Sequence, residues 1–174
     1  MKAPVLIALC LFASSIASAQ KQNPVSSVVK EILPRQEHNI VAALESMPDD
    51  KFDYKPTPEQ MTFGHLATHI GEANYSLCAL AGDVPPAKPV EIKDTAGKEK
   101  LVAYVKESFS FCTRALEKAD DSKLGETIEA FGGRQAPRAW AFIALTNNWS
   151  DHYSMAAMYL RLNGILPPTA KPKK

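Results

Sequence analysis

The sequence has almost no net charge, since 20 lysine and arginine residues stand against 19 aspartate and glutamate residues. A nucleic-acid-binding domain usually has a clear basic excess, so we expect no nucleic-acid partner. Three cysteines in 174 residues are too few for the disulfide framework of a small secreted domain. Because 45% of the residues are hydrophobic, the chain does not have the composition of a disordered protein either. What remains is one ordinary globular domain.

Motifs of the common catalytic classes are also absent. The sequence contains no G-x-S-x-G, no C-x-x-C, no H-E-x-x-H and no glycine-rich phosphate-binding loop. Asp151, His152 and Ser154 are close in sequence, but neighbouring residues on a helix point about 100° apart and cannot form a catalytic triad. No motif therefore identifies a catalytic residue.

An apolar stretch near the N-terminus is too short to span a bilayer as a helix. It occupies residues 5–12, follows a positively charged start at Lys2, and precedes the sequence Ala-Ser-Ala at residues 17–19. This is the pattern of a cleaved secretory signal peptide. We predict a signal peptide at residues 1–19, a mature N-terminus at Gln20, a periplasmic or secreted location and no stable membrane insertion. The alternative is a buried N-terminal helix.

Removal of the signal peptide would leave Cys78 and Cys112 as the only cysteines, because Cys10 lies within it. Two thiols in an oxidising compartment tend to form a bridge. We predict a disulfide between them that links the second and third predicted helices. The alternative is two independent buried thiols.

Four segments have the hydrophobic periodicity of helices. They span about residues 25–47, 62–82, 98–118 and 137–163. Pro34 lies inside the first segment and is expected to kink or split it. Thr62 is a suitable N-cap for the second, and Pro137 a suitable first-turn residue for the fourth. The loop at residues 125–134 is expected to contain a short extended piece around Thr127.

The proline-rich connection between residues 82 and 97 is much longer than a hairpin between antiparallel helices needs. We therefore predict an all-α fold, a four-helix bundle in up-down-down-up order, with a long crossover between parallel second and third helices. The bundle is expected to occupy residues 20–168, followed by a flexible basic tail at 169–174. The fourth helix is apolar on most sides, which is typical of a central helix. One of its faces carries Trp140, Ile143, Ala144, Met155, Met158 and Leu162, and the apolar surface continues onto the other faces through Phe142, Leu145, Trp149 and Leu160.

Histidines are the remaining candidates for chemistry. His65 and His69 are four residues apart on the second helix, a spacing that lets two imidazoles share one ion. His69 lies on the border of the apolar stripe, whereas His65 is either its partner at the rim or a surface residue. On the fourth helix, Asn148 and His152 share an apolar stripe, where each must be hydrogen-bonded or ligated. Spacing alone leaves metal ligands and satisfied core histidines as alternatives, and His38 is most simply a surface residue.

Two segments resemble the DinB/YfiT-like family. Residues 51–70 are similar to its second-helix signature, and residues 152–168 to its closing helix; they read KFDYKPTPEQMTFGHLATHI and HYSMAAMYLRLNGILPP. The resemblance covers nearly all of the predicted mature chain. It implies an up-down-down-up four-helix bundle, in agreement with the predicted crossover, and a homodimer that forms through exposed helix faces.

The resemblance also implies a divalent-metal site. Members of the family typically hold the metal with three histidines, one on the second helix and two four residues apart on the last long helix. His69 and His152 match the first and third ligands, while Asn148 stands at the second position. Zinc and nickel prefer nitrogen or thiolate donors to an amide oxygen. His65 and Glu72 are therefore candidate substitute donors for zinc or nickel.

Characterised members of this family include thiol-dependent S-transferases and maleylpyruvate isomerases. The resemblance thus implies an exported, metal-dependent enzyme of the hydrolase or thiol S-transferase type that acts on a small molecule. The alternative is a non-catalytic periplasmic binding or stress-related module that has lost the metal site.

Overall fold

The structure is a computed structural model that describes residues 23–172. The predicted signal peptide and the predicted N-terminus at Gln20 lie outside these residues. The described chain contains four long helices, α1 (Pro24–Ser46), α2 (Phe63–Gly82), α3 (Lys98–Leu116) and α4 (Ala139–Leu162). Two short strands, β1 (Thr127–Glu129) and β2 (Gln135–Pro137), form an antiparallel hairpin between α3 and α4. The predicted all-α bundle is confirmed.

Contacts between the helices establish their directions. Residue numbers rise together along α2 and α3, where the facing pairs are Asn74 with Ser108 and Cys78 with Cys112. They run in opposite directions along α2 and α4, where the facing pairs are Phe63 with Tyr159, His69 with His152 and Asn74 with Trp149. The ion pair of Glu45 with Lys106 and the bond from Lys30 to the Glu117 carbonyl make α1 and α3 antiparallel. This is the predicted up-down-down-up order, and the crossover makes α2 and α3 parallel.

The helix boundaries differ from the predictions where tertiary contacts intervene. Helix α1 continues through Pro34 without being split, because Leu33 and Ile40 on either side are buried in the core and packing holds the helix together. The Thr62 side chain caps α2 as predicted, accepting a hydrogen bond from the His65 backbone N–H at 3.0 Å. Helix α4 begins two residues later than predicted, because Pro137 belongs to strand β2.

Helix α4 is not buried on all of its apolar sides. Ile143, Met158 and Leu162 are 59%, 39% and 56% exposed. The buried side of the helix instead carries Phe142, Leu145, Trp149, His152, Ala156, Tyr159 and Leu160. Several of these side chains have polar groups, and burial is tolerated because the groups are paired; the Tyr159 hydroxyl, for example, donates to the Met61 carbonyl at 2.9 Å.

Helices α2 and α3 approach each other closely along their parallel contact. A Cβ added at Gly82 would lie 2.1 Å from the Ala115 carbonyl oxygen, so only glycine fits there. One turn earlier, Cys78 and Cys112 form the predicted disulfide, with their Cα atoms 5.1 Å apart and both side chains fully buried. Glycine and the disulfide therefore fix the spacing of the two helices that the long crossover connects.

No helix within residues 23–172 combines the length and the apolarity that a membrane crossing requires.

The part of the predicted tail that the structure describes contacts the bundle. Pro168–Ala170 forms a short 3-10 turn, and the Thr169 backbone N–H donates to the Tyr153 hydroxyl at 3.1 Å.

Candidate metal centre

The two histidines singled out from the sequence meet between α2 and α4. The ring centroids of His69 and His152 are 4.9 Å apart, and the ring planes are inclined by 47°. His152 is 6% exposed, and His69 is half-buried at the edge of the bundle. The antiparallel packing of the two helices brings these residues together although they are far apart in sequence.

The orientation of the His152 ring is fixed by its own helix. Its Nδ1 atom lies 2.6 Å from the backbone carbonyl oxygen of Asn148, one turn earlier on α4. A carbonyl oxygen only accepts hydrogen bonds, so we assign the proton of the neutral ring to Nδ1. The lone pair is then on Nε2, which is the arrangement found in histidines that ligate a metal.

His69 also favours the form that binds metals. Burial lowers the pKa of its imidazole, and the neighbouring His152 and His65 lower it further, while the charge of Glu72 acts in the opposite direction. A lowered pKa keeps the imidazole neutral, with a free lone pair, to more acidic pH than usual. A divalent cation competes with a proton for that lone pair, so His69 is poised to ligate.

Asn148, one turn before His152 on α4, is the third residue of the predicted donor set. Its side-chain oxygen Oδ1 is buried, and among residues 23–172 it has no hydrogen-bond partner. An unpaired buried amide oxygen costs about 1–3 kcal/mol, so such a group usually has a function or an unseen partner. A cation beside the two imidazoles would give this oxygen a partner.

His65 and Glu72, the candidate substitute donors, have exposed side chains on α2. Within the described residues, no group of three histidine, cysteine, aspartate or glutamate side chains is placed to hold a metal ion. The candidate donors are therefore reduced to two imidazoles and one amide oxygen, and a divalent cation held by them would need water at its other positions. A donor set of this kind binds an ion more weakly than three histidines would.

Asn74 of α2 bonds to both neighbouring helices, α3 and α4, and this role was not recognised from the sequence. Its side chain is fully buried, donating to the Ser108 hydroxyl at 2.9 Å and accepting from the Trp149 indole N–H at 2.8 Å. These bonds tie α2 to both α3 and α4. In the sequence, the position of the Asn74 amide on an otherwise apolar stripe indicated that the side chain needs buried hydrogen-bond partners.

Arg138 is a second positioning residue that the sequence pattern did not single out. Its buried guanidinium donates to the Leu80 carbonyl at 2.6 Å, to the Asp83 carboxylate at 2.8 Å and to the Glu126 carboxylate at 3.1 Å. It thereby joins the end of α2 to the hairpin that precedes α4. The contact aligns the two helices that carry His69 and His152.

Comparisons with solved structures match this architecture. A DinB-like protein from Bacillus subtilis aligns over 84% of this chain and 99% of its own, with a TM-score of 0.67 and 18% identity. A DinB-like protein from Bacillus cereus aligns over 85% and 97%, with a TM-score of 0.68 and 17% identity. A conserved protein from Enterococcus faecalis aligns over 79% and 96%, with a TM-score of 0.63 and 15% identity. At these identities the likeness concerns the fold.

A search of curated proteins finds no match. The family model of the DinB superfamily matches residues 32–156, which is most of the chain and includes both histidines and Asn148. The match therefore supports the resemblance on which the site was predicted. The chain belongs to the DinB superfamily.

Proposed function

We propose that this protein is an exported, divalent-metal-dependent enzyme that acts on a small molecule. His69, His152 and Asn148 would hold the ion, with zinc and nickel as the expected metals. The observation that supports the proposal is the pair of packed imidazoles, whose centroids are 4.9 Å apart. The buried side-chain oxygen of Asn148, one turn before His152, has no hydrogen-bond partner among residues 23–172 and is the third candidate donor. Export rests on the signal peptide predicted at residues 1–19.

The contribution of each residue follows from its environment. The Asn148 backbone carbonyl holds the His152 ring in one tautomer, and burial lowers the pKa of the His69 imidazole. When bound, the ion would supply a Lewis acid that polarises an electrophilic substrate. A cytosolic thiol cosubstrate is not expected outside the cytoplasm, so hydrolysis is as well supported as thiol transfer.

The alternative function is a non-catalytic periplasmic binding or stress-related module without the metal. It is favoured by the amide at position 148, where the resemblance implies an imidazole. It is opposed by the retained contact between His69 and His152. A measurement of metal affinity separates the two functions.

Titration calorimetry with zinc or nickel chloride tests the proposal. Wild-type protein should bind the ion weakly, and Asn148→His should bind it more tightly because an imidazole replaces an amide. His69→Ala should abolish binding, whereas His38→Ala, at an exposed histidine of α1, should leave it unchanged. Equal affinity in wild type, Asn148→His and His69→Ala would contradict the metal site and with it the enzyme.

Pairing of two copies is a further part of the proposal. Val28 on α1 and Ile143 on α4 are 50% and 59% exposed and line one apolar surface groove. Exposed apolar surface of this kind favours association of helix faces. Light scattering should give the mass of a dimer for the wild type and of a monomer for Ile143→Lys. A monomeric wild type would contradict it.

A further inference from the structure

A groove separate from the histidines lies where the crossover passes over α3. It has a volume of about 880 Å³, within the range of small-molecule sites. Its walls are residues 87–93, 95 and 96 of the crossover and one face of α3, and Tyr75 of α2 contributes to the floor. Neither His69 nor His152 lines it, so its function is independent of the proposed metal site.

The floor of the groove is aromatic. The Tyr75 ring lies 5.7 Å from the Tyr104 ring and 5.4 Å from the Phe111 ring, measured between centroids. The Tyr104 ring rests against Gly71, where an added Cβ would lie 2.2 Å from its Cε1 atom. The Tyr75 ring is inclined by 55° to the Tyr104 ring and by 49° to the Phe111 ring. The three rings are therefore held in place by packing and offer an aromatic surface against which an aromatic ligand can pack by edge or face.

The disulfide strengthens this arrangement. Cys112 follows Phe111 directly on α3, and Cys78 lies about one turn after Tyr75 on α2. The bridge thus joins the two helices that supply the floor, close to the rings. A site held in place before binding loses less conformational entropy when its ligand arrives.

The wall and rim of the groove carry cations. Lys88, Lys93 and Lys100 line it and form no ion pair with any residue of the described chain. Arg114, a fourth cation in the lining, is paired with Glu107 at 2.9 Å. Glu91 is the other acidic residue of the lining, so positive charge exceeds negative charge around the aromatic floor.

We propose that this groove binds a planar aromatic anion, whose ring packs among Tyr75, Tyr104 and Phe111 while its anionic group contacts the lysines. Burial raises the pKa of Tyr104 to about 12, and the charge of Glu72 and the nearby Tyr75 contribute. The phenol keeps its proton at neutral pH and remains a hydrogen-bond donor to an anion. Aromatic carboxylates and mononucleotides share the required chemistry.

Calorimetry with 2-naphthoate and with AMP tests the proposal and distinguishes the two sources. The wild type should bind at least one of them, and cyclohexanecarboxylate, which has no aromatic ring, should bind more weakly. The double variant Lys93→Glu/Lys100→Glu should lose about tenfold in affinity, as loss of charge-assisted contacts predicts. Arg35→Glu/Lys51→Glu is a matched control, because it makes the same change of charge at exposed residues outside the groove lining.

A second variant tests the aromatic floor. Phe111→Leu keeps an apolar side chain but removes one aromatic ring, so it should weaken binding of the same probe. Thermal melting followed by circular dichroism checks that the variant is folded. Three results would overturn the proposal: no binding of either probe to the wild type, equal binding by the lysine and control variants, or tighter binding of cyclohexanecarboxylate. His69→Ala should bind the probe like the wild type, so this test is independent of the metal site.

Discussion

Loss of the disulfide between Cys78 and Cys112 is the perturbation whose magnitude the structure defines best. The two residues are 34 apart in sequence, and the loop between them contains the whole crossover. In the chain-entropy model, closing a loop of this length removes enough freedom from the unfolded chain to stabilise the fold by about 3.8 kcal/mol. A single domain has a total stability of only about 5–15 kcal/mol, so this is a large share.

The assay is unfolding by guanidinium chloride, with oxidised wild type compared with reduced wild type and with Cys78→Ala/Cys112→Ala. Reduced wild type retains both buried sulfur atoms, so its difference from the oxidised form isolates the cross-link from the packing. The oxidised protein should be more stable than the reduced one by about 3–4 kcal/mol. A difference below about 1 kcal/mol would refute the reasoning, because the unfolded chain would then gain little freedom on reduction.

Three further predictions concern the packing around α2. Arg138→Met should destabilise the protein by about 2 kcal/mol in chemical denaturation, since it leaves the Leu80 carbonyl and Asp83 without their shared donor; an unchanged midpoint would contradict this. The hydrogen bond from Lys123 and the charge of Arg138 lower the pKa of Asp83, so its stabilising effect is present above the unfolded pKa of about 3.9 and is lost as pH falls through the lower folded value. Asp83→Asn should therefore reduce the loss of stability in acid, and identical acid titrations by circular dichroism would count against it. Gly82→Ala should reduce the free energy of unfolding by about 1–3 kcal/mol, measured by thermal melting, because the added Cβ would lie 2.1 Å from the Ala115 carbonyl oxygen. An unchanged stability would show that the two helices can move apart.

Local patterns were sufficient to predict the four helices, the Thr62 cap and the crossover. Each of these depends on residues close in sequence, such as the apolar stripe of α2 or the prolines between residues 84 and 89. The direction of α3 also followed, because a connection of that length can run along the bundle and leave α2 and α3 parallel. The disulfide followed from cysteine number and from the predicted export.

Contacts between distant residues could not be predicted in the same way. The Asp121 carboxylate accepts hydrogen bonds from the backbone N–H groups of Val25 and Ser26 and so caps the start of α1. Asp121 is 95 residues away from Ser26 in sequence. The core-facing side of α4 could not be chosen from the sequence, because the helix is apolar on most sides and periodicity alone does not show that Trp149 and Tyr159 find buried hydrogen-bond partners. Such partners become visible only when the helices are packed together.

The candidate site was predictable in its members but not in its geometry. The sequence identified His69, His152 and Asn148 by spacing and by family resemblance. It did not show that the backbone carbonyl of Asn148 holds the His152 ring, or that the Asn148 side-chain oxygen is buried without a partner in the described part of the chain. The aromatic groove was missed because its floor combines Tyr75 of one helix with Tyr104 and Phe111 of another.

The central claim is that His69 and His152 act together as metal ligands. Long-range nitrogen–proton NMR spectra of the imidazoles test it directly, because they report the tautomer and ligation of each ring separately. Without metal, His152 should carry its proton on Nδ1, as its bond to the Asn148 carbonyl requires. Addition of zinc should shift the ligating nitrogens of His69 and His152 together and leave exposed His38 unchanged. Signals of His69 and His152 that do not respond to zinc, or a response confined to His38 and His65, would contradict the account.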